Sequence, residues 1–206
     1  MRYTSRNCAT LGAVASICVF CGSNSGNDPA LVATAAELGR AIAADGHELI
    51  YGGGRVGLMG TVADSALGAG GVVTGFIPQA LADREVAHTG LTELVITDSM
   101  HARKQAMCDR SDGVIALPGG YGTLDEVIEI LTWNQIGSVA MPVAFLDVKG
   151  YFDRLFEFFD QAVDGGLIRP AHRSMAQRAA TVDAALAIAT APPPVNVSKW
   201  TDPSVR

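Results

Sequence analysis

The chain has 206 residues, of which 49% are hydrophobic and 17% are charged. This length and composition predict one globular domain that needs no disulfide or metal for its core, and they exclude an intrinsically disordered protein. The formal net charge is −6, from 15 Lys and Arg against 21 Asp and Glu, which disfavours a nucleic-acid partner.

The two ends of the chain are expected to lie outside the domain. Residues 1–15 have no apolar run long enough for a secretion signal, so we predict a flexible leader. Residues 191–206 begin with three prolines within the first four positions, and we predict an extended or disordered tail. No apolar run reaches the roughly 18 residues that a membrane helix needs. We therefore expect a cytoplasmic protein without a membrane partner, whose four cysteines are free thiols.

Residues 16–190 alternate short apolar strands with helices. The predicted strands are 16–20, 48–51, 72–77, 93–97, 113–117 and 142–146. Helices are predicted after Asp28-Pro29 and up to Gly46, then up to Ala69, over 100–110, up to Ile136 and over 151–163. Because the strands are apolar without alternation, we predict a single α/β domain with a Rossmann-like, doubly wound parallel sheet. Ligands of such sheets bind beyond the carboxyl ends of the strands.

The first glycine-rich segment follows the second predicted strand. Gly52, Gly54 and Gly57 match G-x-G-x-x-G, a pattern in which amides at a helix N-terminus approach a phosphate. An NAD site requires the pattern after the first strand and an acidic residue at the end of the next one. Neither condition is met here. Contact with a phosphate or ribose, and close packing of helix on strand, are the two other interpretations.

The second glycine-rich segment, 118–126, follows the fifth predicted strand. Its glycines expose consecutive N–H groups at the start of a helix, which predicts a phosphate cradle. No Gly-Lys-Ser/Thr follows, so the segment is not a P-loop. Glu126 has two interpretations that the spacing does not separate. It completes a capping box with Thr123, or its carboxylate reaches a ribose bound beside the cradle.

Arg103 and Lys104 lie near the start of the helix 100–110, where Asp98 or Ser99 is the expected cap. Cations in the first turns oppose the helix dipole. This placement indicates that an anion binds there, and a solvated surface pair is the alternative interpretation.

Cys18 and Cys21 have the spacing of a redox or zinc pair. Cys18, however, lies inside a predicted strand rather than at a helix N-terminus. The four histidines show no ligand spacing. We therefore expect buried structural thiols and no metal.

Three segments in this order resemble the LOG ("Lonely Guy") family of cytokinin riboside 5′-monophosphate phosphoribohydrolases, formerly labelled possible lysine decarboxylases. The segments are 52–60, 100–104 and 118–126, with shorter matches at Cys21-Gly22-Ser23, Ile77-Pro78, Trp133-Asn134-Gln135 and Gly150-Tyr151. The resemblance implies a Rossmann-like fold, a homodimer or higher homo-oligomer, and no metal or other cofactor. It implies hydrolysis of an N6-substituted adenosine 5′-monophosphate to the free base and ribose 5-phosphate.

The resemblance also implies site residues. The catalytic pair would be Arg103 and Glu126. The implied substrate contacts are Glu85, Arg103, Lys104, Gly119, Gly120, Tyr121, Gly122, Thr123, Leu124, Asp125, Glu126 and Thr132. Glu85 gives a function to the polar connection 78–92, whose length alone is typical of functional loops.

Three other functions are compatible with parts of the sequence. A non-catalytic nucleotide-binding or carrier module would share the fold, but it has less need of a carboxylate beside a bound phosphate. A lysine decarboxylase needs a lysine for pyridoxal phosphate, and Lys104 is the candidate near the site. An NAD enzyme is disfavoured by the position of the glycine pattern.

Overall fold

The computed structural model describes residues 14–84 and 86–193. The described residues form seven strands, β1 (Ser16–Phe20), β2 (Glu48–Tyr51), β3 (Val72–Pro78), β4 (Glu93–Thr97), β5 (Gly113–Ala116), β6 (Val143–Leu146) and β7 (Ala176–Ala179). They also form eight helices, α1 (Pro29–Ala44), α2 (Gly57–Gly68), α3 (Gln79–Ala82), α4 (Met100–Asp109), α5 (Tyr121–Ile136), α6 (Asp153–Asp164), α7 (Pro170–Arg173) and α8 (Val182–Ala189). Most of the predicted leader and tail, and the predicted site residue Glu85, lie outside the described residues.

The strands form one sheet in the order β4-β3-β2-β1-β5-β6-β7, and every neighbouring pair is parallel. The chain winds outward from β1 to β4, returns to the other side of β1 and winds outward again to β7. The direction of winding therefore reverses between β1 and β5, where such sheets bind ligands. The predicted doubly wound α/β fold is confirmed.

Helices cover both faces of the sheet, and each face has its own apolar core. Odd and even positions of a strand point to opposite faces, so β1 contributes Ile17 and Val19 to one core and Cys18 and Phe20 to the other. The first core packs against α1, α2 and α8, and the second packs against α4, α5 and α6. Burial on both faces explains the mostly apolar sequences of the strands inside the sheet.

The last part of the domain was not predicted from the sequence. α7, β7 and α8 all follow residue 164, where the sequence analysis placed no element. β7 has the sequence AQRA and lacks the β-branched and aromatic residues that favour strands. It forms because its backbone pairs with β6 at the edge of the sheet. Gly113 makes room for α8, because a Cβ there would lie 1.9 Å from the carbonyl oxygen of Ala189.

The connection between β3 and β4 is attached to the first glycine-rich segment. It contains the short helix α3, and Ala87 forms an isolated antiparallel bridge with Gly54. The Arg55 amide donates to the Val86 carbonyl at 2.9 Å, and the His88 amide donates to the Gly53 carbonyl at 2.9 Å. These bonds hold residues 86–88 at the edge of the sheet where β2 has its carboxyl end.

In the ranges 14–84 and 86–193, no helix is both long and apolar enough to cross a membrane. Among the same residues, no group of three or more His, Cys, Asp or Glu side chains is arranged to hold a metal ion.

Candidate active site

A cleft of about 430 Å³ opens at the carboxyl ends of β1 and β5, a size typical of small-molecule sites. It lies at the point where the winding of the sheet reverses. The residues that line it come from the loops after β1, β5 and β6, the starts of α1, α2 and α4, and the first turns of α5. They are Cys21, Gly22, Ser23, Asn24, Gly26, Leu31, Leu58, Met59, Met100, Arg103, Pro118, Gly119, Gly120, Tyr121, Gly122, Thr123, Asp125, Glu126 and Tyr151.

A buried ion pair lies at the floor of this cleft. Nη1 of Arg103, on α4, is 2.9 Å from Oε1 of Glu126, on α5. Arg103 is 6% exposed and Glu126 is 8% exposed, so neither charge is well solvated by bulk water. A buried charge pair is strongly destabilised when one partner is removed, and buried charges in a cleft are typical of functional sites.

Three contacts fix the guanidinium of Arg103. Its Nε donates to the carbonyl oxygen of Phe76 at 2.9 Å, and its Nη1 contacts both Glu126 and, at 3.7 Å, the sulfur of Met100. Gly52 supplies the space, because a Cβ at position 52 would lie 2.0 Å from Nη2 of Arg103. The planar donor set of arginine can serve the carbonyl and the carboxylate together in one fixed geometry, which the flexible, rotating ammonium of lysine does not provide.

Burial raises the pKa of the Glu126 carboxyl above its ordinary value of 4.5. The neighbouring Arg103 lowers this pKa, and the net shift remains upward. Burial therefore favours the protonated form of the Glu126 carboxyl, and the adjacent Arg103 favours its ionised form. Such a group can accept a proton or stabilise a cation on a substrate.

The start of α5 decides between the two interpretations of Glu126. The helix begins at Tyr121 with Gly120 as its N-cap, so Thr123 lies within the first turn and does not cap the helix. Glu126 lies nearly a turn further on and reaches Arg103 instead of returning to a cap residue. The capping-box interpretation is wrong, because the helix starts earlier than the Thr-x-x-Glu pattern predicts.

The N-terminus of α5 exposes amides to the cleft. The first bond within the helix is donated by the Leu124 amide to the Gly120 carbonyl at 3.1 Å. The amides of Tyr121, Gly122 and Thr123 precede it and have no acceptor within the helix. Gly120 has no side chain to cap them. Together with the helix dipole they form an anion-binding end.

The first glycine-rich segment does not have this property. The amides of Leu58 and Met59, in the first turn of α2, both donate to the carbonyl oxygen of Gly22, at 3.0 and 3.3 Å. Gly57 adopts φ +64°, and a Cβ there would lie 2.3 Å from the Ser23 backbone. Of the interpretations offered for this segment, close backbone packing is the one that the geometry supports.

Lys104 faces α5 rather than the cleft. Its Nζ lies 3.1 Å from Asp125 and 3.0 Å from Glu129. Burial lowers the pKa of Lys104, but the bonds to Glu129 and Asp125 raise it more, so the net shift is upward. The two cations near the start of α4 are therefore already paired with carboxylates of α5, and Ser99 rather than Asp98 caps their helix.

The cleft brings together most of the predicted site residues. Those that line it are Arg103, Gly119, Gly120, Tyr121, Gly122, Thr123, Asp125 and Glu126. Lys104 and Leu124 are not among the residues that line it. Thr132 lies further along α5, is exposed, and donates to the Ile128 carbonyl at 2.8 Å. It lines a smaller cleft of about 120 Å³ beside α6 and α7.

Sequence reasoning missed several residues of the cleft. Asn24 and Gly26 belong to the loop after β1, and Leu31 to the start of α1. These residues could have been identified from their position, because the loop after the first strand lies where the winding of the sheet reverses and is therefore a candidate for ligand contact. Tyr151 was noted as a motif residue without a function, and its hydroxyl donates to the Gly119 carbonyl at 2.7 Å.

The cysteines behave as predicted where they are described. Cys18, Cys21 and Cys108 are buried free thiols, and Cys8 lies outside the described residues. Burial raises the pKa of all three, that of Cys108 to about 12. They are therefore protonated at neutral pH and pack as small apolar side chains.

The fold and the cleft define a Rossmann-like α/β protein with an anion cradle and a buried carboxylate–guanidinium pair at the reversal point of its sheet. Residues 59–188, more than half of the chain, match the family model described as "Possible lysine decarboxylase". The rice protein named "Probable cytokinin riboside 5'-monophosphate phosphoribohydrolase LOGL9" is 48% identical over 159 residues, which are 77% of this chain and 70% of the rice protein. The Arabidopsis thaliana cytokinin riboside 5'-monophosphate phosphoribohydrolase LOG1 is 44% identical over 76% of this chain and 74% of its own length. The chain belongs to the LOG family.

Solved structures show the same fold. The molybdenum cofactor carrier protein of Chlamydomonas reinhardtii is 25% identical, with a TM-score of 0.63 over 85% of this chain and 95% of that protein. The molybdenum cofactor binding protein of Rippkaea orientalis, at 24% identity, has a TM-score of 0.64 over 84% of this chain and 94% of that protein.

Proposed function

We propose that the protein hydrolyses the N-glycosidic bond of adenosine 5′-monophosphate or an N6-substituted relative, releasing the base and ribose 5-phosphate. The observation that carries the proposal is the buried Arg103–Glu126 pair, placed a few residues from the open amides of α5 in one cleft. Relatives that are 44% to 48% identical are named for this reaction on cytokinin riboside 5′-monophosphates.

In the proposed mechanism each part of the cleft has its own function. The amides of Gly120 to Thr123 hold the 5′-phosphate at the N-terminus of α5. The bond between ribose C1′ and the base then breaks through a state in which positive charge develops on the sugar. Glu126 stabilises that charge or orients the water that bonds to C1′, while the proton lost by the water goes to the departing base. Arg103 holds the carboxylate ionised and in position.

A second candidate function is nucleotide binding or carriage without catalysis. The observation that supports this function is the structural likeness to a molybdenum cofactor carrier protein at 25% identity. A carrier requires the cradle but gains nothing from a buried glutamate whose pKa is raised. The Arg103–Glu126 pair therefore favours hydrolysis.

The decarboxylase suggested by the description of the family model requires an amine that forms a Schiff base. Lys104, the candidate near the site, has an upward-shifted pKa and is held by two carboxylates. A protonated, paired ammonium is a poor nucleophile, so we do not propose decarboxylation.

One incubation separates these functions. The protein is mixed with adenosine 5′-monophosphate and, separately, with N6-isopentenyladenosine 5′-monophosphate, and free base is measured by chromatography. Release of base supports hydrolysis, and the ratio of the two rates identifies the preferred base. Tight binding of both nucleotides without release of base would support the carrier function instead.

We also propose a homo-oligomer, at least a dimer. Thr132, a substrate contact implied by the family resemblance, lies outside the cleft of its own chain, so its contact with a nucleotide would come from a second copy. Sedimentation analysis tests this, and a monomer at working concentration would contradict it.

We also propose a cytoplasmic location. The buried free thiols suit a reducing compartment, and fractionation of cells tests the location.

A further inference from the structure

The Gly150-Tyr151 pair has no part in the function proposed above, although Tyr151 borders the cleft. Its side chain is half exposed, at 50%, but its hydroxyl is not free. It donates to the carbonyl oxygen of Gly119 at 2.7 Å, across 32 positions of sequence. A surface tyrosine from the loop after β6 thus binds the backbone of the loop after β5.

The turn that presents Tyr151 is rigid and strained. Lys149, at φ 55°, is the one non-glycine residue with a positive φ in the described ranges, and Gly150 follows at φ 77°. The Tyr151 amide donates to the Val148 carbonyl at 3.1 Å, and the Phe152 amide donates to Asp147 Oδ1 at 3.1 Å. Backbone strain of this kind persists where surrounding contacts enforce it, and it is concentrated at functional sites.

The ring of Tyr151 is also fixed. It meets the ring of Phe152 edge to face, with centroids 5.1 Å apart. Phe152 is buried and packs edge to face against Phe145 of β6. The hydroxyl of Tyr151 is therefore aimed by the core of the domain rather than by a mobile surface loop.

The atom that Tyr151 holds belongs to the same planar peptide unit as the N–H of Gly120. In a trans peptide the C=O and N–H point in opposite directions, so fixing the Gly119 carbonyl fixes the direction of the Gly120 amide. The backbone at Gly119 is closely packed, because a Cβ there would lie 2.1 Å from Thr123 Oγ1 and 2.9 Å from the Gly22 amide nitrogen. Glycine is needed for this close approach, and it leaves the peptide unit dependent on an outside contact for its orientation.

We propose that Tyr151 is a positioning residue for the phosphate seat. Its hydroxyl orients the Gly119–Gly120 peptide so that the amides at the start of α5 converge on one phosphate group. The inference rests on the proposed function only in assigning a nucleotide 5′-phosphate to this seat. It is tested by binding, so that it does not depend on release of base.

The test compares two variants, each of which loses one tyrosine hydroxyl group. Tyr151→Phe removes the hydroxyl and keeps the ring. Tyr51→Phe removes a hydroxyl that is buried, lies outside the cleft and has no hydrogen-bond partner among the described residues. Dissociation constants of adenosine 5′-monophosphate and of adenosine, which differ only in the phosphate, are measured by calorimetry for both variants and for the unmodified protein. The titrations are run at low temperature, and chromatography of the cell contents confirms that the monophosphate is intact.

We expect Tyr151→Phe to weaken binding of the monophosphate by roughly two- to tenfold, the usual range for one lost hydrogen bond, and to leave adenosine binding unchanged. Tyr51→Phe is expected to change neither constant. Equal weakening of both ligands in Tyr151→Phe would indicate a merely structural role and overturn the proposal. An unchanged constant for the monophosphate, or an unmodified protein that binds both ligands equally, would overturn it as well. If binding follows the expectation but no base is released, the proposed hydrolysis fails and the positioning function of Tyr151 stands.

Discussion

At the scale of single residues, the proposed chemistry depends on a pairing between two helices that are adjacent in the chain. The sequence predicted both members, Arg103 and Glu126, from the family resemblance, but their spacing left Glu126 equally compatible with a cap. The structure separates the two interpretations, because the carboxylate is 2.9 Å from the guanidinium. No local pattern contains this contact, since it requires α4 and α5 to pack on the same face of the sheet.

Substitution of Glu126 by Gln should remove the charge while keeping the shape. We expect kcat for release of base to fall by about 10²- to 10⁴-fold, the range typical of a positioned acid or base. The matched control is Glu157→Gln, an exposed residue of α6 paired with Arg154, which should retain full activity. Activity of Glu126→Gln within a few-fold of the unmodified enzyme would remove Glu126 from the mechanism.

The pH dependence of the reaction should report the buried carboxylate. Burial raises the pKa of Glu126, and the proposed mechanism requires the ionised form. Activity should therefore be present above that pKa and be lost as the pH falls through it. The acid limb of kcat/KM should therefore have its midpoint above the ordinary value of 4.5. Rates are measured from about pH 4 to pH 8, with circular dichroism at each pH to confirm folding. A midpoint at or below 4.5 would contradict the assignment.

At the scale of elements, the two turns from a strand through glycines into a helix have different functions despite similar sequences. The first turn of α2 is satisfied by the Gly22 carbonyl, whereas the first turn of α5 is open. Strands β1, β2, β3, β5 and β6 were predictable because burial on both faces makes each a mostly apolar run, and the edge strand β4 was predictable from the apolar residues Leu94, Val95 and Ile96. β7 was not, because its short sequence AQRA gains strand structure only from pairing with β6. The sequence also could not show which helix amides have a hydrogen-bond acceptor. For α2 the acceptor is the Gly22 carbonyl, in a loop more than 30 residues away in the chain.

The glycine at the end of β2 should matter for the arginine rather than for a phosphate. In Gly52→Ala the new Cβ would lie 2.0 Å from Arg103 Nη2, so the guanidinium must leave its position. We expect kcat/KM to fall by about 10²-fold, as for displacements of roughly 1 Å at other sites, with the fold retained.

Gly68→Ala provides the opposite control for this substitution. Position 68 ends α2, and a Cβ there meets nothing within 4 Å. Activity should be unchanged and the free energy of unfolding should rise by up to about 1 kcal/mol, because alanine favours the helix. If both variants lost activity equally, the contact with Arg103 would not be the cause.

At the scale of the whole molecule, stability comes from two apolar cores, one on each face of the sheet. The cleft is lined by loops and helix starts at one end of the sheet. α8 was absent from the sequence prediction but covers β5, β6 and β7. Its buried Leu186 belongs to the core that also contains residues of α1 and α2. The C-terminal part of the domain therefore stabilises the sheet without contributing a residue to the described lining of the cleft.

Leu186→Ala should separate stability from function. Leu186 is 5% exposed, and its truncation should lower the free energy of unfolding by about 2–5 kcal/mol, measured by urea denaturation. The KM for the nucleotide should not change. Phe158→Ala is the control, because Phe158 is 61% exposed and its loss should alter stability by less than about 0.5 kcal/mol. A change of KM in Leu186→Ala would show that α8 acts on the site.

The ion pair between Arg103 and Glu126 affects which nucleotides we expect the cleft to bind. Among the described residues that line it, the charged side chains are one arginine and two carboxylates, Asp125 and Glu126, and the arginine is already neutralised. Attraction for a phosphate therefore comes from the few amides at one helix end, which can surround a single phosphate group. Diphosphates and triphosphates would bring added negative charge to a surface with no surplus cation among the described residues. We therefore expect the cleft to favour monophosphates by repulsion as much as by fit.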